Sequence, residues 1–420
     1  MTSQNRRPTM KDNQAKYPQL RFKGFTDPWD KRYLGDYVVD YTEKTTQENQ
    51  FPVLTSSQQQ GIVLQSEYFS DRQVTTDENI GYFVLPRGYF TYRSRSDNNI
   101  FVFNRNDIID KGIISYFYPV FGLINADSSF FLRRINNGLN RQLAIAAEGT
   151  GQHVLSLKKF KKMETRFPSL PEQKQIGEFL ECLDDLITVN QRKLAKLKEL
   201  KQGYLQKLFP RNGSKFPQLR FAGFADAWEQ RKLGNLGLNI SDGDWIEKQH
   251  IFENGQYRII QTGNIGVDEY LDKPQNAKYF RQEDFNQLKA NEIFPGDIVV
   301  CRLADPAGRA VILPNIGKQM VTSVDVAILR PSSRISFRFL VSQLNNPRNL
   351  KQVQIMASGS TRTRISRKNL EREIIQLPNI NEQKKIGSFF SILNSTIALH
   401  QRKLEKLQEL KKGYLQKMFC

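Results

Sequence analysis

The chain has 420 residues, 39% of them hydrophobic, and its 62 lysines and arginines outnumber 43 acidic residues to give a net charge of +19. This length predicts about two to four domains, and the lack of any apolar run of about 18 residues or of an apolar leader excludes membrane-spanning and secreted classes, so we expect a cytoplasmic protein. Three scattered cysteines and three histidines predict neither a disulfide framework nor a metal site.

A polar tail at 1–16 is followed by a segment that occurs twice. PQLRFKGFTDPWDKRYLG at 18–35 returns as PQLRFAGFADAWEQRKLG at 217–234, with 12 of 18 positions identical. A spacing of about 200 residues is far too long for one unit of a solenoid. We therefore predict that a whole module is duplicated.

The block at 36–170 has the pattern of a mixed α/β domain. Aromatic strands separated by polar turns are predicted within 80–107 and at 112–124. A helical stretch is predicted around 128–147, and the segment GTGQHVLSLKKF at 149–160 closes the block.

Two long helices are predicted, the first following this block and the second ending the chain. The segments at 171–209 and 381–419 are identical at 23 of 39 positions. In both, apolar residues alternate at spacings of four and three, which is the pattern of a coiled coil. The helix seam consists of Ile176, Leu180, Leu183, Ile187, Asn190, Leu194, Leu197 and Tyr204 in the first copy, and Ile386, Phe390, Leu393, Ile397, His400, Leu404, Leu407 and Tyr414 in the second.

The matched polar positions Asn190 and His400 favour packing of the two helices on each other, because such residues fix register. Two amphipathic helices that each pack on their own domain are the alternative. If the pair is antiparallel, the internal repeat gains a pseudo-two-fold axis.

The second block repeats the plan of the first with different loops. Strands are predicted at 257–266, 294–314 and 322–330. A helix near 337–356 and the closing segment SGSTRTRISRKNL at 358–370 follow. We predict an α/β (α+β) fold with two mixed α/β domains and two long helices packed as an antiparallel coiled coil. The predicted divisions are 1–16, 17–170, 171–210, 211–380 and 381–420.

Motifs that carry chemistry are missing. The sequence has no phosphate-binding P-loop, nucleophile elbow, zinc-protease motif or dinucleotide fingerprint. It also lacks the signature of Asn or Asp before Pro-Pro-aromatic that is found in methyltransferases acting on the amino groups of bases. We predict that the chain is not itself an enzyme and binds no cofactor.

Recognition is the more favoured role, because a basic chain attracts nucleic-acid phosphates and Arg, Asn and Gln can each bond two acceptors or donors of a base. A solvated loop or a phosphate contact is the alternative for each residue. The candidates for DNA binding are Tyr92, Arg93, Ser94, Arg95, Asn98, Asn99, Thr150, Gln152, His153, Gln261, Thr262, Asn264, Arg302, Arg309, Ser360, Thr361, Arg362, Thr363 and Arg364.

The paired edges, the paired helices with EQKxIGxF and QRKLxKLxELKxGYLQKxF, and the closing segments together resemble the specificity (S) subunits of type I restriction-modification enzymes. The resemblance covers essentially the whole chain. It implies two target-recognition domains that read a bipartite, asymmetric duplex DNA target, with the antiparallel helices setting the gap.

The same resemblance implies partners that carry the chemistry. Two DNA-methyltransferase (M) subunits would dock on the helical region, and restriction (R) subunits would join the modification core. S-adenosylmethionine, ATP and Mg would then bind to those partners, with none in this chain. A coiled-coil scaffold whose globular ends bind other proteins is the alternative from another class.

Overall fold

The computed structural model describes residues 16–69, 78–211, 213–330, 332, 334–359 and 363–419. Its contacts divide the chain into two compact units. The first unit holds the residues up to Asn190 together with those from Lys403, and the second holds Gln191–Arg402. Across the described ranges, no helix is long and apolar enough to cross a bilayer.

The first unit is built from short strands and helices. Its strands are β1 (Asp30–Tyr33), β2 (Val38–Tyr41), β3 (Leu54–Ser57), β4 (Gly61–Leu64), β5 (Phe83–Pro86), β6 (Phe90–Tyr92), β7 (Arg95–Ser96), β8 (Phe103–Arg105), β9 (Lys111–Ile114), β10 (Val120–Leu123), β11 (His153–Val154) and β12 (Glu164–Phe167). Its helices are α1 (Gln65–Tyr68), α2 (Ser128–Asn136), α3 (Asn140–Ala146), α4 (Leu157–Lys161) and the first half of α5 (Leu170–Lys207).

Aromatic residues from an antiparallel sheet of order β2-β10-β6-β8 form the centre of the first unit. Phe90, Phe103 and Phe121 are fully buried. The ring of Phe103 stacks on Phe160 of α4 with centroids 4.6 Å apart, and Phe90 meets Phe131 of α2 edge-on at 5.9 Å. Large rings packed in this way bury much apolar area and fix the helices on the sheet.

The second unit contains a related set of elements. Its strands are β13 (Glu229–Lys232), β14 (Asn239–Asp242), β15 (Tyr257–Ile260), β16 (Tyr279–Phe280), β17 (Glu292–Ile293), β18 (Ile298–Cys301), β19 (Leu303–Ala304), β20 (Ala310–Ile312), β21 (Gln319–Thr322), β22 (Val326–Arg330), β23 (Thr363–Arg364) and β24 (Ile374–Leu377). Its helices are α6 (Gln282–Leu288), α7 (Phe337–Leu344), α8 (Pro347–Met356), α9 (Arg367–Glu371) and most of α10 (Ile380–Met418). Short 3-10 turns occur at Leu34–Asp36 in the first unit and at Leu233–Asn235, Lys248–His250, Thr262–Asn264 and Pro274–Asn276 in the second.

Two four-stranded sheets lie in the second unit. One is antiparallel with order β14-β22-β18-β20, and the other has order β16-β15-β21-β17 with β15 parallel to β21. Strand β18 is buried on both faces, which explains its continuous apolar sequence IVVC.

The helical stretch predicted around 128–147 consists of two helices, and the one helix predicted near 337–356 is wrong, because two helices joined by a turn occupy that range. Gly138, with φ at +88°, separates α2 from α3. Pro347 lies at the first position of α8, where its missing N–H is tolerated, and the Asn346 side chain caps that helix by accepting from the N–H of Arg348 at 3.0 Å.

A buried ion pair fixes the start of each long helix to its edge segment. Arg21 donates through two nitrogens to the Glu172 carboxylate at 2.7 Å, and Arg220 does the same to Glu382 at 2.8 Å. Both glutamate side chains are fully buried. The matching charge and geometry explain why the same arginine stands in both copies of the edge.

Each unit also contains the far end of one long helix. In the first unit, Phe179 of α5 meets Tyr414 of α10 edge-on at 4.9 Å, and Asp184 pairs with Lys411. The two segments therefore run in opposite directions there. Every residue of the helix seam is buried or half-buried.

In the second unit, the end of α5 packs on the start of α10. Tyr204 meets Phe389 edge-on at 4.9 Å, and Phe209 stacks on Phe390 at 5.9 Å. The returning edge joins this packing, since the N–H of Leu219 donates to the carbonyl oxygen at the end of α5 at 2.9 Å.

Candidate nucleic-acid interface

A two-stranded ribbon carries several of the predicted contact residues of the first unit. Strand β7 pairs antiparallel with β11, which places Arg95 and His153 on one ribbon. The turn before β11 needs glycine, because Gly149 has φ at +105° and a Cβ there would stand 2.2 Å from the Gln152 carbonyl oxygen. Gln152 in turn donates to the Asp97 carboxylate at 3.2 Å. The structure thus brings together the loops at 93–99 and 149–153.

The second unit has the same kind of ribbon between β19 and β23. Two backbone hydrogen bonds, at 3.0 and 2.8 Å, join Ser358 to Arg364. The corresponding bonds in the first unit join Glu148 and Val154 at 3.0 and 2.7 Å. Three of the predicted contacts, Ser360, Thr361 and Arg362, lie outside the described residues.

Further backbone hydrogen bonds establish which positions correspond. In the first unit Ser94 donates to the Phe117 carbonyl oxygen at 3.1 Å and accepts from the Leu155 N–H at 2.9 Å. In the second unit the same pair of bonds, at 2.8 and 2.9 Å, joins Arg302 to its neighbours. The corresponding pairs are Ser94 with Arg302, Phe117 with Asp325, and Leu155 with Ile365.

In the first unit an aromatic face holds the ribbon arginine. The guanidinium carbon of Arg95 lies 4.3 Å from the ring centroid of Phe117, a cation–π contact. The neighbouring Tyr116 is 60% exposed, and its ring lies 4.1 Å from that of Phe117. This surface offers stacking area and guanidinium donors together.

In the second unit carboxylates hold the arginines. Arg364 pairs with Asp325 at 3.0 Å, and Arg367 lies 3.8 Å from Asp242. Arg302 is buried 3.4 Å from Asp242. Burial lowers the pKa of the Arg302 guanidinium, and the charge of Arg364 adds to this, while Asp242 opposes it. Three cations and two carboxylates therefore share one charged cluster.

Two predicted contact residues are buried and make internal hydrogen bonds. Tyr92 is fully buried, and its hydroxyl donates to the Leu155 carbonyl oxygen at 2.9 Å. Asn264 is 3% exposed, donates to the Leu271 carbonyl oxygen at 2.8 Å and accepts from the Gln261 N–H at 2.9 Å. Aromatic rings and amides suit a turn or a core as well as they suit a base, so the sequence alone does not separate these roles.

The other candidates differ in exposure. The exposed ones are Arg93, Arg95, Asn98, Thr150, Gln152, Gln261 and Arg364, and the half-buried ones are Ser94, Asn99, His153, Thr262, Arg309 and Thr363. The Asn99 amide donates to the Ala144 carbonyl oxygen at 3.2 Å, and the Thr363 hydroxyl to the Ala304 carbonyl oxygen at 2.9 Å. Gln261 follows β15 and is outside the ribbon.

Sequence reasoning missed two residues at this surface and one exposed aromatic residue elsewhere in the second unit. Phe117 and Asp325 correspond only through backbone bonds, and their side chains share no chemistry that would mark the pair. Trp245 is 73% exposed, directly after a turn in which Asp244 bonds to Thr322 through its N–H at 2.9 Å. A lone tryptophan in the polar run SDGDW was the one available signal.

Metal-ligating side chains do not gather anywhere in the described part of the chain, where no group of three or more His, Cys, Asp or Glu residues could hold an ion.

Comparison with known proteins assigns the family. Residues 27–199 and 225–409 match a family model described as the type I restriction modification DNA specificity domain. The chain belongs to this family. Two copies of the domain account for most of the length, in agreement with the internal repeat of edges and helices.

Two curated members of the specificity family have similar sequences, both from Methanocaldococcus jannaschii. The type I restriction enzyme MjaVIII specificity subunit is 23% identical over 272 residues, which are 63% of each chain. The putative MjaX specificity subunit is 22% identical over 280 residues, 64% of this chain and 61% of that relative. This chain thus matches less than two thirds of the length of either relative.

Solved structures of the specificity family share the fold. The S subunit of a type I restriction-modification system from M. genitalium superposes with a TM-score of 0.60 at 14% identity, covering 96% of this chain and 99% of that one. A chain from a study of complex assembly and conformational transition of the type I R-M system gives 0.50 at 16% identity, with coverage of 93% and 97%. At these identities the likeness concerns the fold alone. Specificity subunits of this family are non-catalytic components.

Proposed function

We propose that this chain is the DNA sequence-specificity subunit of a type I restriction-modification complex. Residues 17–170 and 211–380 are its two target-recognition domains, and each reads one half of a bipartite, asymmetric duplex target. The observation that carries the proposal is the shared ribbon. One hydrogen-bond pattern recurs in both units and presents different side chains, as expected of one scaffold adapted to two half-sites.

The charge supports a duplex as the ligand. A net charge of +19 favours association with phosphates. Such binding weakens steeply as the salt concentration rises, because less free energy is then gained by releasing counterions from the DNA. Exposed Arg93, Arg95 and Arg364 supply forked donors that fit phosphate oxygens or the edge of guanine.

The two long helices form an antiparallel coiled coil that sets the gap between the half-sites and serves as the assembly platform. Their opposed direction in the first unit and the burial of the helix seam support this arrangement. Apolar side chains that stay exposed on them, such as Leu186, Val189, Ile392 and Leu399, suit the docking of two methyltransferase subunits, which restriction subunits then join. Methylation and ATP-dependent cleavage belong to those partners, whose cofactors are S-adenosylmethionine, ATP and Mg.

The test is binding of the chain, co-purified with its methyltransferase subunits, to duplex DNA over a range of salt. The methylated motif of a host that carries the complex supplies the target sequence, and duplexes with either half scrambled serve as controls. We expect tight, salt-sensitive and sequence-selective binding. Binding that is absent, or that ignores both scrambled halves, would favour the alternative of a coiled-coil scaffold with protein-binding ends.

The proposal that the helix pair sets the gap is tested separately by adding one heptad to each helix, after Asn190 and after Arg402. Seven added residues keep the helix seam in register and lengthen the helix pair by about 10 Å. Because a base pair occupies about 3.4 Å, the unspecified gap of the motif should grow by about three base pairs. An unchanged gap would show that the helices do not set it.

A further inference from the structure

One position of the shared scaffold holds an arginine in both units, by different chemistry. Phe117 and Asp325 receive the same backbone hydrogen bond from the residue that precedes the ribbon. The Phe117 ring lies 4.3 Å from the Arg95 guanidinium, and the Asp325 carboxylate lies 3.0 Å from that of Arg364.

The two arginines come from opposite strands of the ribbon. Arg95 belongs to β7, the first strand, whereas Arg364 belongs to β23, the second strand of the corresponding pair. Sequence position therefore does not relate them. The residue beside the ribbon relates them, since in each unit it is the group against which the guanidinium rests.

We propose that Phe117 and Asp325 are positioning residues that determine which half-site each domain accepts, by holding Arg95 and Arg364 ready to donate to a guanine edge. The inference rests on the proposed function in DNA recognition. An arginine has five N–H donors, so one contact with a ring face or a carboxylate leaves others for a base. A guanidinium already held in place loses less rotational freedom on binding than a free side chain.

Phe117 and Asp325 have different effects on the affinity for DNA that lacks the target sequence. Phe117 is neutral and leaves the charge of Arg95 open to any phosphate. Asp325, with Asp242 beside Arg302 and Arg367, adds negative charge that a phosphate must displace. The second domain therefore gains selectivity by weakening its binding to unrelated sequence.

The test uses the full chain in complex with its methyltransferase subunits and the duplexes described above. Asp325→Asn should bind DNA with a scrambled second half more tightly and with a steeper salt dependence, and its preference for the correct second half should fall by about tenfold, the scale of one lost guanine contact. The first half should be read as before. Glu283→Gln on the exposed face of α6 makes the same change in net charge and should leave all three quantities unaltered.

Phe117→Leu should lower the preference for the first half alone, without a change in salt dependence. If Asp325 acts through Arg364, the double variant Asp325→Asn with Arg364→Ala should lose no more second-half preference than Arg364→Ala does. A merely structural aspartate would instead give additive losses.

The outcomes separate the two proposals. A wild-type complex with no preference for its own half-sites would overturn the proposed function. A selective wild-type complex whose Asp325→Asn variant keeps its second-half preference within about twofold, the usual error of additivity, would overturn the positioning role alone. Arg364 is half exposed, so Arg364→Ala tests the role without disturbing the core, and an unaltered second-half preference in that variant would also overturn it.

Discussion

The two units share one frame, which consists of a four-stranded antiparallel sheet and a paired edge strand, and they differ in their other elements. The difference shows which parts of each unit the long helices constrain. Both have an antiparallel sheet of matching order, β2-β10-β6-β8 in the first and β14-β22-β18-β20 in the second. Both tie the edge strand to the strand before the long helix, β1 to β12 and β13 to β24. Away from that frame, the first unit has the small ribbons β3-β4 and β5-β9, whereas the second has a mixed four-stranded sheet.

Residues at corresponding frame positions also differ in chemistry. Leu34 donates its N–H to the Met163 carbonyl oxygen, and Leu233 donates to that of Glu373, both at 2.8 Å. Met163 is 8% exposed and Glu373 2%, so an apolar side chain in one unit is replaced by a buried acid in the other. The frame therefore constrains the backbone more strictly than the side chains.

The largest expected effect comes from breaking the buried ion pairs that the units share. Glu172→Gln and Glu382→Gln should each destabilise their own unit by about 3–5 kcal/mol, because the partner arginine is left without its counter-charge. Chemical denaturation followed by tryptophan fluorescence reports this, since the Trp29 indole lies 3.4 Å from the Glu172 carboxylate and Trp228 is buried in one apolar cluster with Ile386 of α10. Arg32→Gln, which removes an exposed pair with Asp30, is the control and should change stability by less than about 1 kcal/mol. Equal effects in all three variants would mean that the buried pairs are not the anchors.

The buried acid of the second unit should make its stability depend on pH. Burial raises the pKa of Glu373 to about 8, with Asn349 opposing the shift by donating to the carboxyl at 3.1 Å. The folded form thus keeps a proton that the unfolded form has lost, so stability falls as pH rises from about 5 to 8.

Glu373→Gln copies the protonated acid and should remove this dependence, raising the midpoint of thermal unfolding by several degrees at pH 8 and little at pH 5. Met163→Glu should bring the same dependence to the first unit. A melting profile of wild type that is flat over this range would contradict the buried acid.

A smaller effect separates two lysines that occupy the same position of the repeated helix. Lys201 pairs at 2.8 Å with Asp268, whose side chain is 3% exposed, whereas Lys411 pairs with the partly exposed Asp184. Lys201→Met should cost about 2–3 kcal/mol, because it leaves a buried carboxylate unpaired, and Lys411→Met less than about 1 kcal/mol. Equilibrium unfolding of both variants at low and high salt measures the difference. Equal costs would show that burial of the acid is not decisive.

The frame was predictable from the sequence, and the contacts were less so. The seam spacing predicts helices at 171–210 and 381–420, and they run over Leu170–Lys207 and Ile380–Met418. The period of a long helix is a strong signal. The shorter helices were merged in prediction because the apolar pattern continues across the turn at Gly138.

At the candidate interface, residue type alone was a poor guide to position. Tyr92 and Asn264 have the chemistry of base contacts, yet the structure uses both for internal hydrogen bonds. Phe117 and Asp325 were not predicted, because they share only a backbone hydrogen bond and a neighbouring arginine. Neither feature produces a local sequence pattern. Recognition loops diverge in sequence while their backbone hydrogen bonds stay the same.

The most direct measurement is the methylated motif of hosts that carry this chain with its methyltransferase subunits, read for wild type, Arg95→Ala and Arg364→Ala. Wild type should give a bipartite motif with two unlike halves. Arg95→Ala should relax positions in one half and Arg364→Ala positions in the other, with the gap unchanged. An undivided motif, or two variants that both alter the same half, would contradict the reading of one half-site by each unit.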